Sequence, residues 1–253
     1  MKVTVIAKKE WPGILRLRKR FKVVKDGDIC IAAGGDGTFI RAARKFKGPI
    51  LPVRSGEEGS IGYYADIGMD SLDRAMDLLE RGDYSIEKLA NKIEVEVRGK
   101  KHYAVNEAVL NNALEEVSFR VYEVKKGRRE EIYPYVMSGD GILITSVVGS
   151  TAYNKSAGGP IILSPSVFCI TFINVDGPYR SPIVVGSDTE IEIEIVKYRG
   201  KLRYDGIELG TLGPGERFRV RLSDKELNVI RFKGMREGFG KKLERIIGSR
   251  MKK

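Results

Sequence analysis

Residues 30–46, CIAAGGDGTFIRAARKF, place three glycines and one aspartate where an apolar run gives way to a helix-like pattern. Gly34, Gly35 and Gly37 remove side chains, so that backbone N–H groups can come within hydrogen-bond distance of an anion. Phosphate oxygens suit such a turn. The spacing is wrong for two common phosphate loops: a G-x-G-x-x-G fingerprint needs glycine where Ile40 stands, and a Walker A loop needs a Gly-Lys-Ser/Thr that is absent. Asp36 must have a task, since phosphates repel a carboxylate. It could hold Mg²⁺ against them, accept the proton of an attacking hydroxyl, or cap a helix opening at Gly37 or Thr38.

Two further clusters carry ligand-reading chemistry. Asn106 and Glu107 interrupt the apolar run HYAVNEAVL, and residues 138–160, SGDGILITSVVGSTAYNKSAGGP, collect small and polar residues around one tyrosine. An amide plus a carboxylate can pair with an adenine edge or ribose hydroxyls. A solvated strand end or bulge explains Asn106 and Glu107 equally well, and a plain loop is the alternative for the long stretch. Glu57 and Glu58 lie in a glycine-rich loop that is either a lid or solvated surface. Asp176 and Asp205 each precede a glycine, as turn residues do.

Alternating elements must position these groups. KVTVIA (2–7), DICIAA (28–33) and PILPV (49–53) read as strands. Between them lie an amphipathic segment opened by Pro12 and the helical TFIRAARKF, which predicts a Rossmann-like parallel sheet with right-handed crossovers. SLDRAMDLLERGDY (71–84) reads as a helix capped by Ser71 and stopped by Gly82. After about residue 90, apolar and polar residues alternate in KIEVEVRG, VSFRVYEV, GILITSVV, FCITFINV, EIEIEIVK and RFRVRL, which predicts antiparallel strands in a sandwich-like arrangement. The fold class is thus α/β plus all-β. The expected division is residues 1–90 with about 234–253 as an α/β phosphate-binding domain and 91–233 as a β-rich dinucleotide-binding domain, a C-terminal helix packing back on the first.

Composition narrows the function. The 253 residues are 42% hydrophobic and carry a formal charge of +11. The basic runs at 16–22, 125–129 and 231–253 have no aromatics at regular intervals between them, a pattern that reads as solvated helix faces and loops and argues against a nucleic-acid platform. No apolar stretch approaches the roughly 20 residues of a membrane helix, and a cytoplasmic protein is expected. His102, the sole histidine, sits among lysines, which argues against a serine hydrolase. Cys30 and Cys169 lack metal-ligand spacing and are expected as buried thiols. High charge and absent glutamine resemble the composition of heat-adapted proteins.

GGDGT (34–38), NE (106–107), GDG (139–141) and GSTAYNKSAGGPI (149–161), in this order, resemble the NAD kinases. The resemblance spans about residues 28–240. It implies transfer of the γ-phosphate of ATP to the adenosine ribose 2′-hydroxyl of NAD, giving NADP, with Asp36 as proton acceptor. It places Gly34, Gly35, Gly37, Thr38 and Arg41 at phosphate, and Asn106, Glu107, Asp140, Thr151, Ala152, Tyr153, Asn154, Lys155, Ser156 and Asp176 at the dinucleotide. It also implies Mg²⁺ held mainly by nucleotide phosphates with no dedicated protein cage, and a homodimer or homotetramer. Ser138, SVVG (146–149) and RSGEEGSIGYY (54–64) depart from the family pattern. These departures leave the phosphate chemistry intact and the acceptor open between NAD, NADH and another hydroxyl compound; the sequence does not choose between ATP and polyphosphate as donor. A GGDG-type kinase of a sugar, polyol or lipid, or a nucleotide-binding regulator without turnover, remains the alternative.

Overall fold

In the computed structural model, which describes residues 1–7, 11–55 and 62–251, the chain opens with β1 (Lys2–Ala7), α1 (Gly13–Arg20), β2 (Lys22–Val23), β3 (Ile29–Ala33), α2 (Asp36–Lys45), β4 (Ile50–Val53) and α3 (Leu72–Arg81). Residues 1–88 and 227–253 form one unit and residues 89–226 a second.

The first unit is a parallel sheet in the order β2, β1, β3, β4, completed by the end of the strand Arg217–Arg231 through Val229 opposite Ile50. β3 and β4 are buried along their whole length, as apolar runs without alternation require. Register aligns Ala7 with Ala33 and Ala33 with Val53, so three strands end at one edge and Gly34–Asp36 begins there. Open parallel sheets bind ligands at that carboxyl edge. α3 buries Leu72, Ala75, Met76 and Leu79, one face at helical spacing, and ends on Gly82 at φ 74°. Ser71 precedes α3 as expected, but its hydroxyl bonds Gly68 rather than capping the helix. The C-terminal helix, Phe239–Met251, belongs to this unit.

The second unit is built of antiparallel strands. One sheet runs 183–186, 167–173, 141–145, 107–111, 200–204, 207–212. Opposite it, strands 137–139, 117–125, 190–197 and the first part of 217–231 pair antiparallel. Ile93, Phe119, Ile193 and Phe218 from one sheet meet Leu110, Ile142, Phe168 and Ile170 from the other in a single core. EIEIEI shows the rule locally: Ile191, Ile193 and Ile195 face this core, while Glu192 and Glu194 pair with Arg129, Arg217 and Arg219.

One expectation falls short. The alternation RFRVRL stops at Leu222, yet the strand continues to Arg231. Side-chain bonds carry it across the polar SDKE: Ser223 Oγ donates to Lys92 O and Asn91 Nδ2 donates to Ser223 O.

Candidate active site

In the first unit the glycine turn reaches α2 without a side-chain cap. Gly35 is the cap residue, and Asp36 is the first residue of the helix. The cap position is thus taken by Gly35, one residue before Asp36. Gly34 lies at φ 158°, and a Cβ there would fall 2.4 Å from Thr38 Oγ1, so only glycine fits. A Cβ at Gly37 would meet no atom of the described residues within 4 Å. Thr38 is buried, and Arg41 Nη2 donates to Ala7 O at 3.0 Å.

Asp36 Oδ1 accepts a long bond of 3.5 Å from Tyr64 N. The Tyr64 ring stacks on Phe39 of α2 with centroids 5.2 Å apart. Burial, followed by the negative charge of Asp36, pushes the Tyr63 phenol above its ordinary pKa. Glu57 and Glu58 lie outside the described residues. Among the described residues no group of three His, Cys, Asp or Glu side chains could hold a metal ion. One carboxylate at a glycine turn fits a Mg²⁺ that takes most of its oxygens from phosphates and water.

In the second unit residues 105–107 are pinned from both sides. Their N–H groups donate to the Asp205 carboxylate, at 2.8 Å from Val105, 2.8 Å from Asn106 and 3.4 Å from Glu107. Val105 O accepts from Ser146 Oγ, Asn106 O from Ser146 N and Thr145 Oγ1, and Glu107 O from Asp205 N. Gly149 is required here, since a Cβ would lie 2.4 Å from Asn106 O. With the backbone fixed, the side chains present Asn106 Oδ1 and Glu107 Oε2, both buried and without a hydrogen-bond partner among the described residues. An unsatisfied buried polar atom costs about 1–3 kcal/mol, which a ligand donor would relieve. Burial, then the charge of Asp205, raises the Glu107 pKa to about 7.

The stretch 149–156 forms two short helical turns, Gly149–Thr151 and Tyr153–Ser156. Tyr153 is 39% exposed, as a stacking ring must be. Ala152 and Ser156 are exposed, and Thr151 and Lys155 partly so. Asn154 is different. It is fully buried, its Oδ1 accepting from Thr171 Oγ1 at 2.6 Å and its Nδ2 donating to Pro160 O at 2.8 Å. Its amide is spent inside the protein, so it holds residues 153–160 in place instead of meeting a ligand.

Asp140 and Asp176 do not join this cluster. Register puts Thr145 opposite Glu107 but Gly141 opposite Asn111, so the GDG segment sits at the far end of the strand, about 13 Å away at the usual rise. There Asp140 accepts from Asn174 Nδ2, and Asp176 pairs with Ser138 across a β-bridge. Ser138 Oγ also shares a 2.8 Å hydrogen bond with Ser118 Oγ.

Residues 4–84 match the model of the ATP-NAD kinase N-terminal domain, and residues 91–232 match that of the ATP-NAD kinase C-terminal domain. The chain belongs to the ATP-NAD kinase family. Its relatives include the NAD kinase of Thermoplasma acidophilum, 31% identical with 81% of this chain and 74% of the relative covered, and that of Caldicellulosiruptor saccharolyticus, 28% identical with 91% and 86% covered. Among solved structures the fold is similar to an NAD kinase from Archaeoglobus fulgidus in complex with ATP, with a TM-score of 0.76, 18% identity, and 97% of this chain and 99% of that one covered. It is also similar to yeast NADH kinase complexed with NADH, with a TM-score of 0.81, 17% identity, and 98% and 87% covered.

Membership in this kinase family gives the clusters their context. Asp205 is the group that sequence reasoning missed: its Asp-Gly turn is real, with φ 44°, and concealed a second task for the carboxylate. His102 lies in a strand against the Tyr204 ring. Both cysteines are free and buried, Cys30 with its thiol pushed up to about 12 by burial.

Proposed function

We propose that this member of the family transfers the γ-phosphate of ATP to the adenosine ribose 2′-hydroxyl of NAD, with Asp36 accepting the hydroxyl proton. The observation that carries the reading is the pair of buried acceptors, Asn106 Oδ1 and Glu107 Oε2, that have no hydrogen-bond partner among the described residues. Ribose hydroxyls and an exocyclic amine are donors of the kind they lack. Tyr153, 39% exposed, supplies a face for a ring, and the helix start after Gly34 and Gly35 supplies N–H groups for the donor's phosphates. A sugar or lipid kinase sharing only GGDG has no use for the second cluster.

Phosphoryl transfer through a loose transition state asks little early deprotonation of the nucleophile, so Asp36 chiefly orients the hydroxyl and takes its proton late. A bound Mg²⁺ would neutralise phosphate charge. Asp36 is the carboxylate of the glycine turn that could touch it, and the remaining oxygens would come from the nucleotide and water. The family resemblance also carries a homo-oligomer, for which Ile183–Gly186, an edge strand with Val184 half exposed, offers a free side.

The decisive assay incubates the protein with Mg-ATP and NAD or NADH and detects product with a strictly NADP(H)-dependent coupling enzyme. NADP formed from NAD meets the expectation. ATP turnover with a sugar or lipid and none with NAD sinks it.

A further inference from the structure

The turn that meets Asp36 is held from the far end of the chain. Asp66 is buried, its side chain 6% exposed, and two cations that are themselves buried share it. Arg231 Nη1 lies 2.7 Å from Oδ2 and Lys242 Nζ 2.8 Å from Oδ1, with side-chain exposures of 8% and 10%. Arg231 also donates to Tyr64 O at 3.2 Å. Arg54 donates to Ala65 O and to Glu237, both at 2.9 Å, and Glu237 N donates to Asp66 Oδ1 at 3.4 Å. Three consecutive residues, 64 to 66, are thus each gripped by a cation, and Tyr64 is the residue whose N–H meets Asp36.

Stability alone is a poor reason for such a cluster. Buried ion pairs often contribute no more than apolar residues of the same size, because desolvation offsets attraction, whereas removing one partner strands the other. Burial weighs on Lys242 in particular and lowers its pKa, against the pull of Asp66. What the charges supply is direction. A carboxylate bonded at both oxygens to two groups cannot rotate, and its neighbours cannot drift. Lys242 Nζ further lies 5.8 Å over the ring of Tyr63, whose phenol senses the Asp36 charge.

We propose that Lys242 and Arg231 are positioning residues for Asp36: by gripping Asp66 they fix the 62–66 turn, and through Tyr64 N–H the orientation of the Asp36 carboxylate. The C-terminal helix is thereby part of the phosphoryl-transfer apparatus. The proposal rests on the reading of Asp36 as proton acceptor. Misplacing a reacting group by an ångström can cost up to about 100-fold in rate, so a loosened turn should register in kcat.

The test compares wild type, Lys242→Met, Lys242→Arg and Asp36→Asn by steady-state kinetics, with hydrogen exchange at the Tyr64 amide read in parallel. Lys242→Met is expected to lower kcat at least about fivefold with both KM values within about twofold, and to speed Tyr64 exchange about tenfold. Lys242→Arg, which keeps the charge, is expected to recover most of both. An unchanged kcat, a loss confined to KM, a fall in kcat without faster exchange, or an arginine variant that recovers stability but not kcat each overturns the proposal. Should Lys242→Met fail to fold, Asp66→Asn carries the same test with the same outcomes. Asp36→Asn separates the premise: if it keeps full kcat, no acceptor remains to be positioned and both readings fall, while Tyr64 exchange still reports whether the mechanical link exists.

Discussion

The Asp205 carboxylate holds the Asn106 N–H at 2.8 Å and the Val105 N–H at the same distance, across 99 and 100 residues of sequence. An aspartate at a hairpin turn thereby sets the backbone from which the candidate acceptor-reading side chains project. Asp205→Ala should release that backbone. We expect KM for NAD to rise about tenfold with kcat little changed, and stability to fall by about 1–3 kcal/mol as buried N–H groups lose their acceptor. Steady-state kinetics with chemical denaturation reads both, and an unaltered KM contradicts the role.

Glu107 should make stability depend on pH. Its folded pKa of about 7 exceeds the unfolded value of about 4.5, so between those values the folded state keeps a proton that the unfolded chain has released. Stability must therefore fall as pH rises through this window and level off above it, by about 3 kcal/mol at most. Glu107→Gln should flatten the profile and be the more stable protein at pH 8. Denaturant titrations from pH 4.5 to 8 measure it, and parallel profiles for the two proteins rule the effect out.

Asp36→Asn keeps the size of the side chain and removes the base. The expected result is a fall in kcat of about 10²–10⁴ with nucleotide affinity nearly unchanged. Single-turnover kinetics and direct ATP binding decide it.

Tyr153 and Asn154 are sequence neighbours with opposite expected phenotypes. Tyr153→Ala should raise KM for NAD about tenfold and leave the melting temperature alone, since the ring is exposed. Asn154→Ala should cost about 2–4 kcal/mol of stability, since Pro160 O loses its donor while Thr171 Oγ1 keeps only a weak 3.5 Å contact with Cys169 Sγ. Calorimetry of the pair with matched kinetics tests the assignment, and equal melting temperatures would refute it.

Local patterns in the chain determined much of this protein. β3 and β4 were legible because a strand buried on both faces must be a continuous apolar run, and EIEIEI because a half-buried strand must alternate. The glycine turn was legible because phosphate approach and the backbone at Gly34 both exclude side chains. The functional family was legible in four short segments. Tertiary structure alone decided which groups those segments lean on. Asp205 and Asn106, or Lys242 and Asp66, meet through hydrogen bonds across 99 and 176 residues, and no periodicity encodes a partner at that range. The same limit explains Asn154, whose amide turns inward because Thr171 and Pro160 converge on it, and Asp140, which register places at the far end of a strand from Glu107. Sequence specifies what a residue can bond, and packing specifies what is left to bond it.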